Sequence, residues 1–117
     1  MINVVVLQGR LSRPAQVLEL PSGARLVSLD LTVRREESPA ETVPVQWSDP
    51  PAWAASLDTG SELAVLGRVR RRYFRSGGAT QSRTEVVAVR VVRAGSRAKV
   101  RALVDEAVES IDAAASS

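Results

Sequence analysis

ELAVLGRVRRRYF, Glu62 to Phe74, answered by SRTEVVAVRVVR, Ser82 to Arg93, decides how this chain folds. Both runs are rich in β-branched residues, and the segment between them, RSGGATQ from Arg75 to Gln81, carries the pair Gly77-Gly78. Paired glycines between such runs signal a hairpin, because glycine tolerates the positive φ that tight turns need. Side chains alternate between the two faces of a strand. Arg68, Arg70, Arg72 and Phe74 therefore share one face, and Leu63, Val65, Val69, Arg71 and Tyr73 the other. Between Arg68 and Arg97 stand nine arginines and a single acid, Glu85. A cationic ribbon that ends on an aromatic ring is suited to single-stranded nucleic acid, since guanidinium groups track phosphates and rings stack on bases. A solvated basic hairpin without a ligand is the plain alternative.

Working outward, four strands and a short helix precede this arm. INVVVLQGR, Ile2 to Arg10, reads as a strand buried on both faces or used in an interface, with Gly9 at a bulge or corner. Gln16 to Leu20 is a short strand that ends in the turn Pro21-Ser22-Gly23. In Arg25 to Arg34 the residues Val27, Leu29, Leu31 and Val33 alternate with Ser28, Asp30, Thr32 and Arg34, the pattern of a half-buried strand. Thr42 to Trp47 is a further strand, and its Pro44 argues for an edge or a bulge. Asp49 before Pro50 and Pro51 reads as the cap of a short helix, Pro50 to Leu57, with Trp53 as a core plug. After the arm, Val100, Leu103, Val104, Ala107, Val108 and Ile111 fall at helical spacing on one stripe, and residues 113–117 read as a frayed end. The fold expected is mainly β: a five-stranded OB-type Greek-key barrel with a long basic β-hairpin, one short mid-chain helix and a C-terminal amphipathic helix. The division falls at residue 95, with an OB-fold domain over 1–95 and the helix and its end over 96–117.

Composition narrows the chemistry. The 117 residues are 44% hydrophobic and 25% charged, enough for one small domain with its own core. Net charge is only +3, but four acids and no base lie beyond Val104, so residues 1–104, with sixteen bases and nine acids, carry +7. That asymmetry favours a polyanionic partner. With no cysteine and no histidine, thiolate nucleophiles, disulfides, imidazole bases and the usual zinc sets are absent. No phosphate-binding glycine loop is present, and the adjacent Glu36 and Glu37 are poorly placed to flank one bond. No enzyme, metal or cofactor is expected. The longest N-terminal apolar run, Val4 to Leu7, is too short for a signal segment or a membrane span, so a cytoplasmic protein without a membrane partner is expected.

The order MINVVVLQGRL, PSGARLVSLDLTV, VPVQW, GSELAVLGRVRRRYF and TEVVAVRVV resembles the bacterial single-stranded DNA-binding proteins in one collinear register over residues 2–92. The resemblance implies an OB barrel, self-association as a dimer or tetramer, and sequence-tolerant binding of single-stranded DNA without catalysis. Carried over by position, Phe74 and Trp47 stand where that family stacks bases, and Arg70 and Arg72 stand on its basic face. Glu37 and Glu41 stand near two further stacking positions. The family's acidic tail with a Pro-Phe tip has no counterpart, so recruitment of repair enzymes through such a tip is not expected.

The residues expected to hold nucleic acid are Trp47, Arg68, Arg70, Arg72, Phe74, Arg75 and Arg34. Four questions stay open at this level. Trp47 shares its alternation with Val43 and Val45, so it either stacks on a base, through a bulge at Pro44, or belongs to the core. The helical stripe is covered either by the chain's own strands or by a neighbouring subunit. RNA is not separated from DNA. An accessory paralogue that binds DNA weakly and acts through oligomerisation is the rival function.

Overall fold

The computed structural model describes residues 1–116. Its six strands are β1 (Val5–Leu11), β2 (Gln16–Glu19), β3 (Arg25–Val33), β4 (Glu41–Ser48), β5 (Glu62–Ser76) and β6 (Ala79–Arg93), followed by the helix α1 (Arg97–Ala115). The sheet order is β1-β5-β6-β4-β3-β2, and a further β1–β3 pairing closes it into a ring. Both β1 and β2 lie along the same side of β3, β1 through Arg10 and Leu11 and β2 through Gln16 to Glu19, so the ring itself has five members. All pairings are antiparallel except β4–β6, a parallel seam of two register pairs, Val45 with Val86 and Gln46 with Val87. This is the OB-type connectivity expected.

Alternation fills the ring. Val27, Leu29 and Leu31 of β3 meet Val45 and Trp47 of β4, Leu63 and Val65 of β5, and Val86 and Val91 of β6 in one core. Fully burying each such side chain stabilises the fold by about 1.5–3 kcal/mol. The strand β1 differs from its expectation of burial on both faces: it begins at Val5, and Val6, Gln8 and Arg10 point to solvent. Gly9 shows no bulge. It sits where β1 leaves β5 for β3, and a Cβ there would lie 2.2 Å from the Thr32 carbonyl oxygen, so only glycine permits the crossing.

The mid-chain helix is a single 3-10 turn, Ala52–Ser56, that starts two residues later than expected. Asp49 does not cap it: its φ is +48°, and its carboxylate accepts from the Arg25 backbone N–H at 3.4 Å, tying the end of β4 to the start of β3. Trp53 on this turn is half-buried against the core and meets Trp47 edge to face at 5.4 Å.

A second core lies outside the ring. Ala64 and Leu66, on the outer face of β5, pack against Leu103 and Ala107 of α1, with Val4, Val92 and Val100 at the margin. The helix is therefore covered by its own chain. Ser96 caps it by accepting from Lys99 N–H at 3.3 Å, and Glu106 ties it to Arg90 of β6. Only half of the stripe is used, since Val104, Val108 and Ile111 remain 39%, 51% and 38% exposed. A helix touching a strand surface along one line covers less than the wide stripe its sequence carries. The helix also runs to Ala115, beyond the expected frayed start, while Ser117 lies outside the described residues.

Candidate nucleic-acid interface

The hairpin is longer and tighter than its sequence suggested. Both strands have fifteen residues, Ser76 pairs with Ala79, and the expected seven-residue loop shrinks to Gly77-Gly78. Their φ values of +60° and +80° are those of a type I′ turn, whose twist matches the strands it joins. At Gly67 the register shifts, with Leu66 opposite Arg90 and Gly67 opposite Ala88, which leaves Val89 as the extra residue of a bulge. A Cβ at Gly67 would lie 2.2 Å from the Val87 carbonyl oxygen.

Beyond the bulge β5 parts from β1, while β6 stays paired with β4 through Val87 and Val86, opposite Arg68 and Val69. The side chain of Asn3 bonds both backbone groups of Val69, accepting at 2.9 Å and donating at 2.8 Å, and so ends the pairing along that edge of β5. From Arg70 to Ser76 the hairpin is a free two-stranded ribbon about 20 Å long at the usual rise per residue. From the bulge outward the outer face of β5 carries Arg68, Arg70, Arg72 and Phe74, opposite Val87, Glu85, Arg83 and Gln81.

Glu85 is the centre of that face. It is 1% exposed, and its Oε1 accepts from Arg72 Nε at 2.7 Å and meets Arg70 at 3.4 Å. The Arg72 guanidinium also lies 5.2 Å from the centre of the Phe74 ring, within cation–π range. Glu85 Oε2 and Arg70 Nε are buried without a hydrogen-bond partner.

Arg70 and Arg72, with Arg83 of β6, form one wall of a groove of about 260 Å³ on the outer face of the sheet. The floor is Ser28 and Gln46, cross-strand partners joined by a hydrogen bond of 2.9 Å from the Ser28 hydroxyl to Gln46 Oε1. The far wall is Arg13, paired with Asp30 at 2.5 Å and donating to Gln16 at 3.3 Å, and Leu18 and Leu26 form an apolar end. Guanidinium groups for phosphates thus meet neutral amide and hydroxyl groups for hydrogen-bonding edges in the groove, and an aromatic ring for stacking follows beside Arg72 on the same face of the ribbon. Together they can hold a flexible polyanion that bears planar groups.

The expected site residues divide. Arg70 and Arg72 line the groove, and Arg68 and Phe74 share their face of the ribbon. Arg75 alternates to the opposite face, where it donates to the Gly78 carbonyl at 3.1 Å. Arg34 lies apart, in a second hollow beside Arg10 and Glu62. Trp47 is corrected from stacking residue to core residue: β4 pairs with β3 without a bulge from Glu41 to Ser48, so Trp47 stays in phase with Val45 and is 6% exposed. Pro44 is tolerated because β6 pairs only with Val45 and Gln46, leaving no ladder bond for its missing N–H. Arg13, Gln16, Ser28, Gln46 and Arg83 were missed. The polar face of β3 pointed to Ser28, and folding the hairpin about Gly77-Gly78 puts Arg83 opposite Arg72.

Away from the groove, the hydrogen bond to Glu106 and then its charge push the Arg90 guanidinium above its usual range, fixing this ion pair across β6 and α1. Among the described residues no group of three or more potential ligands is placed to hold a metal, and no helix is long and apolar enough to cross a membrane.

No protein-family model matches the chain. It is 36% identical over 98 residues to a single-stranded DNA-binding protein of Thermus thermophilus and 33% identical over 99 residues to one of Thermus aquaticus, 79% of this chain in both cases. The chain spans 37% and 38% of the length of these curated relatives. Its fold matches the crystal structure of the wild-type Thermus aquaticus single-stranded DNA-binding protein with a TM-score of 0.66 at 30% identity, over 79% of this chain and 40% of that one. A deletion mutant of the same protein superposes with a TM-score of 0.67 at 31% identity, again over 79% of this chain and 40% of the other. Sequence and ring connectivity agree: the chain is a bacterial single-stranded DNA-binding-protein-like chain with an OB-type fold.

Proposed function

We propose that the chain binds single-stranded DNA without sequence selection and without catalysis, the strand crossing the groove over β3 and β4 and running out along the outer face of the ribbon. The observation that carries this reading is the meeting of the polar floor, Ser28 and Gln46, with a cationic face that ends on Phe74. In this reading Phe74 stacks a base and Arg68, Arg70 and Arg72 meet phosphates. The names of the relatives support the choice of ligand. The reading includes self-association in a DNA-containing cytoplasm: Val104, Val108 and Ile111, beside an N-terminal segment whose amino group donates to the Ala114 carbonyl at 3.4 Å, leave apolar surface for a second copy.

Titration with poly(dT), single-stranded RNA and duplex DNA tests it. Expected is preference for single strands and a marked salt dependence, about −0.7 in the slope of log K against log salt per phosphate neutralised. Equal affinity for duplex overturns the reading. One observation favours the rival, an accessory chain of weak affinity: with Trp47 in the core, Phe74 is the single aromatic among the residues expected to stack. Uniformly weak binding to all three ligands, with stable association of copies, decides for that rival.

A further inference from the structure

The groove has more arginine than usable charge. Of the four guanidinium groups around it, Arg13 is held by Asp30, and both Arg70 and Arg72 are held by Glu85, leaving Arg83 without a carboxylate within ion-pair distance among the described residues. Glu85 differs from Asp30 in being sealed from water, its side chain 0% exposed against 20%. A buried carboxylate is retained at a cost in desolvation and needs partners in fixed geometry. Here it has them on one oxygen only: Oε1 takes both arginines, while Oε2 and the Nε of Arg70 are buried and unpartnered. A group whose task was solely to stabilise the ribbon would satisfy both oxygens.

The direction of the Arg72 bond supplies the purpose. Glu85 engages Arg72 through Nε, and no hydrogen bond among the described residues uses its two terminal nitrogens. The plane of the guanidinium is thereby fixed against Phe74, one side of the ring is backed by charge, and the terminal nitrogens remain for a phosphate. Arg70, held less closely, at 3.4 Å and with a free Nε, is the partner able to shift.

Resting on the single-strand reading above, we infer that Glu85 is the positioning residue of this interface: it aims Arg72 at the strand, holds that guanidinium against Phe74, and reduces the two arginines to an effective charge of one. It touches no nucleic acid itself. Single-strand preference then comes from a fixed guanidinium and ring, and the salt dependence is held below what the arginine content implies.

The test is a poly(dT) and duplex titration over a salt series with wild type, Glu85→Gln and Arg72→Lys. Glu85→Gln keeps size and shape but releases the compensated charge. Its slope is expected to steepen by about 0.7, one further phosphate, while preference for poly(dT) over duplex falls about tenfold, the order of one hydrogen bond to a charged group. Arg72→Lys keeps the charge and loses the planar fork. It is expected to hold the wild-type slope and lose the same preference. Wild-type slope and preference in Glu85→Gln, whatever its melting temperature, make Glu85 purely structural and overturn the inference. Should that variant not fold, unchanged preference in Arg72→Lys overturns it equally. A wild type that does not distinguish poly(dT) from duplex defeats the parent reading instead, and that result is read from the wild-type curves alone.

Discussion

The two halves of the β5–β6 hairpin are continuous in backbone and opposite in environment. From Glu62 to Gly67 the strand β5 is walled by the ring core on one side and by α1 on the other, and five consecutive residues, Leu63 to Gly67, are buried. From Arg68 to Ser76 no residue is. The change falls at the Gly67 bulge, where the ladder is offset and the pairing with β1 ends. One hairpin thus serves as a structural wall at its base and as a charged ribbon at its tip. Substitutions in the base should therefore act on stability, and those in the tip on binding.

The hardest test of that division is removal of α1. Truncation after Gly95 uncovers Ala64 and Leu66 and is expected to lower the melting temperature more than Leu103→Ala does, the latter costing about 2–5 kcal/mol as a large-to-small core change. Poly(dT) binding by the folded fraction should persist in both. An unchanged melting temperature after truncation would show that the base does not need its outer wall. Gly67→Ala attacks the junction, where its Cβ must displace the Val87 carbonyl. Its expected cost is about 1–3 kcal/mol in chemical denaturation, with impaired binding, since the ribbon is re-aimed. In the tip, Phe74→Ala should weaken poly(dT) binding by about 1–3 kcal/mol at every salt concentration and leave thermal unfolding near wild type. Smallest is Arg68→Ala: this arginine has no ion-pair partner among the described residues, so its loss should flatten the salt slope by about 0.7 and do little else.

The parts of this molecule that were legible in advance are those where a local signal has one outcome. Alternation in β3 and helical spacing after Ser96 each allow a single arrangement, and each is found, whereas the paired glycines marked the hairpin but not the length of its turn. Trp47 was ambiguous because its role depends on whether Pro44 slips the register, and that is decided by how far β6 extends along β4. Glu85 was visible as the lone acid among nine arginines, yet its burial was not. Its place opposite Arg70 follows once Gly77-Gly78 is taken as the two-residue centre of the hairpin. A looser turn leaves that register undefined. The half-covered stripe of α1 was hidden for another reason, since spacing shows which residues share a side and not how wide a neighbour they meet.

The parallel seam between β4 and β6 has a kinetic meaning. Its two register pairs are the shortest joint in a ring otherwise stitched by antiparallel ladders, apart from the two-pair β1–β3 contact. It joins strands some forty positions apart in the chain, whereas the β5–β6 ladder zips outward from its own turn. The hairpin is therefore expected to assemble early and the seam to close late, since loop-closure entropy precedes its reward. In native-state hydrogen exchange the amides that cross this seam should open below the global unfolding free energy, as a gate in the wall directly beneath Gln46 and the groove.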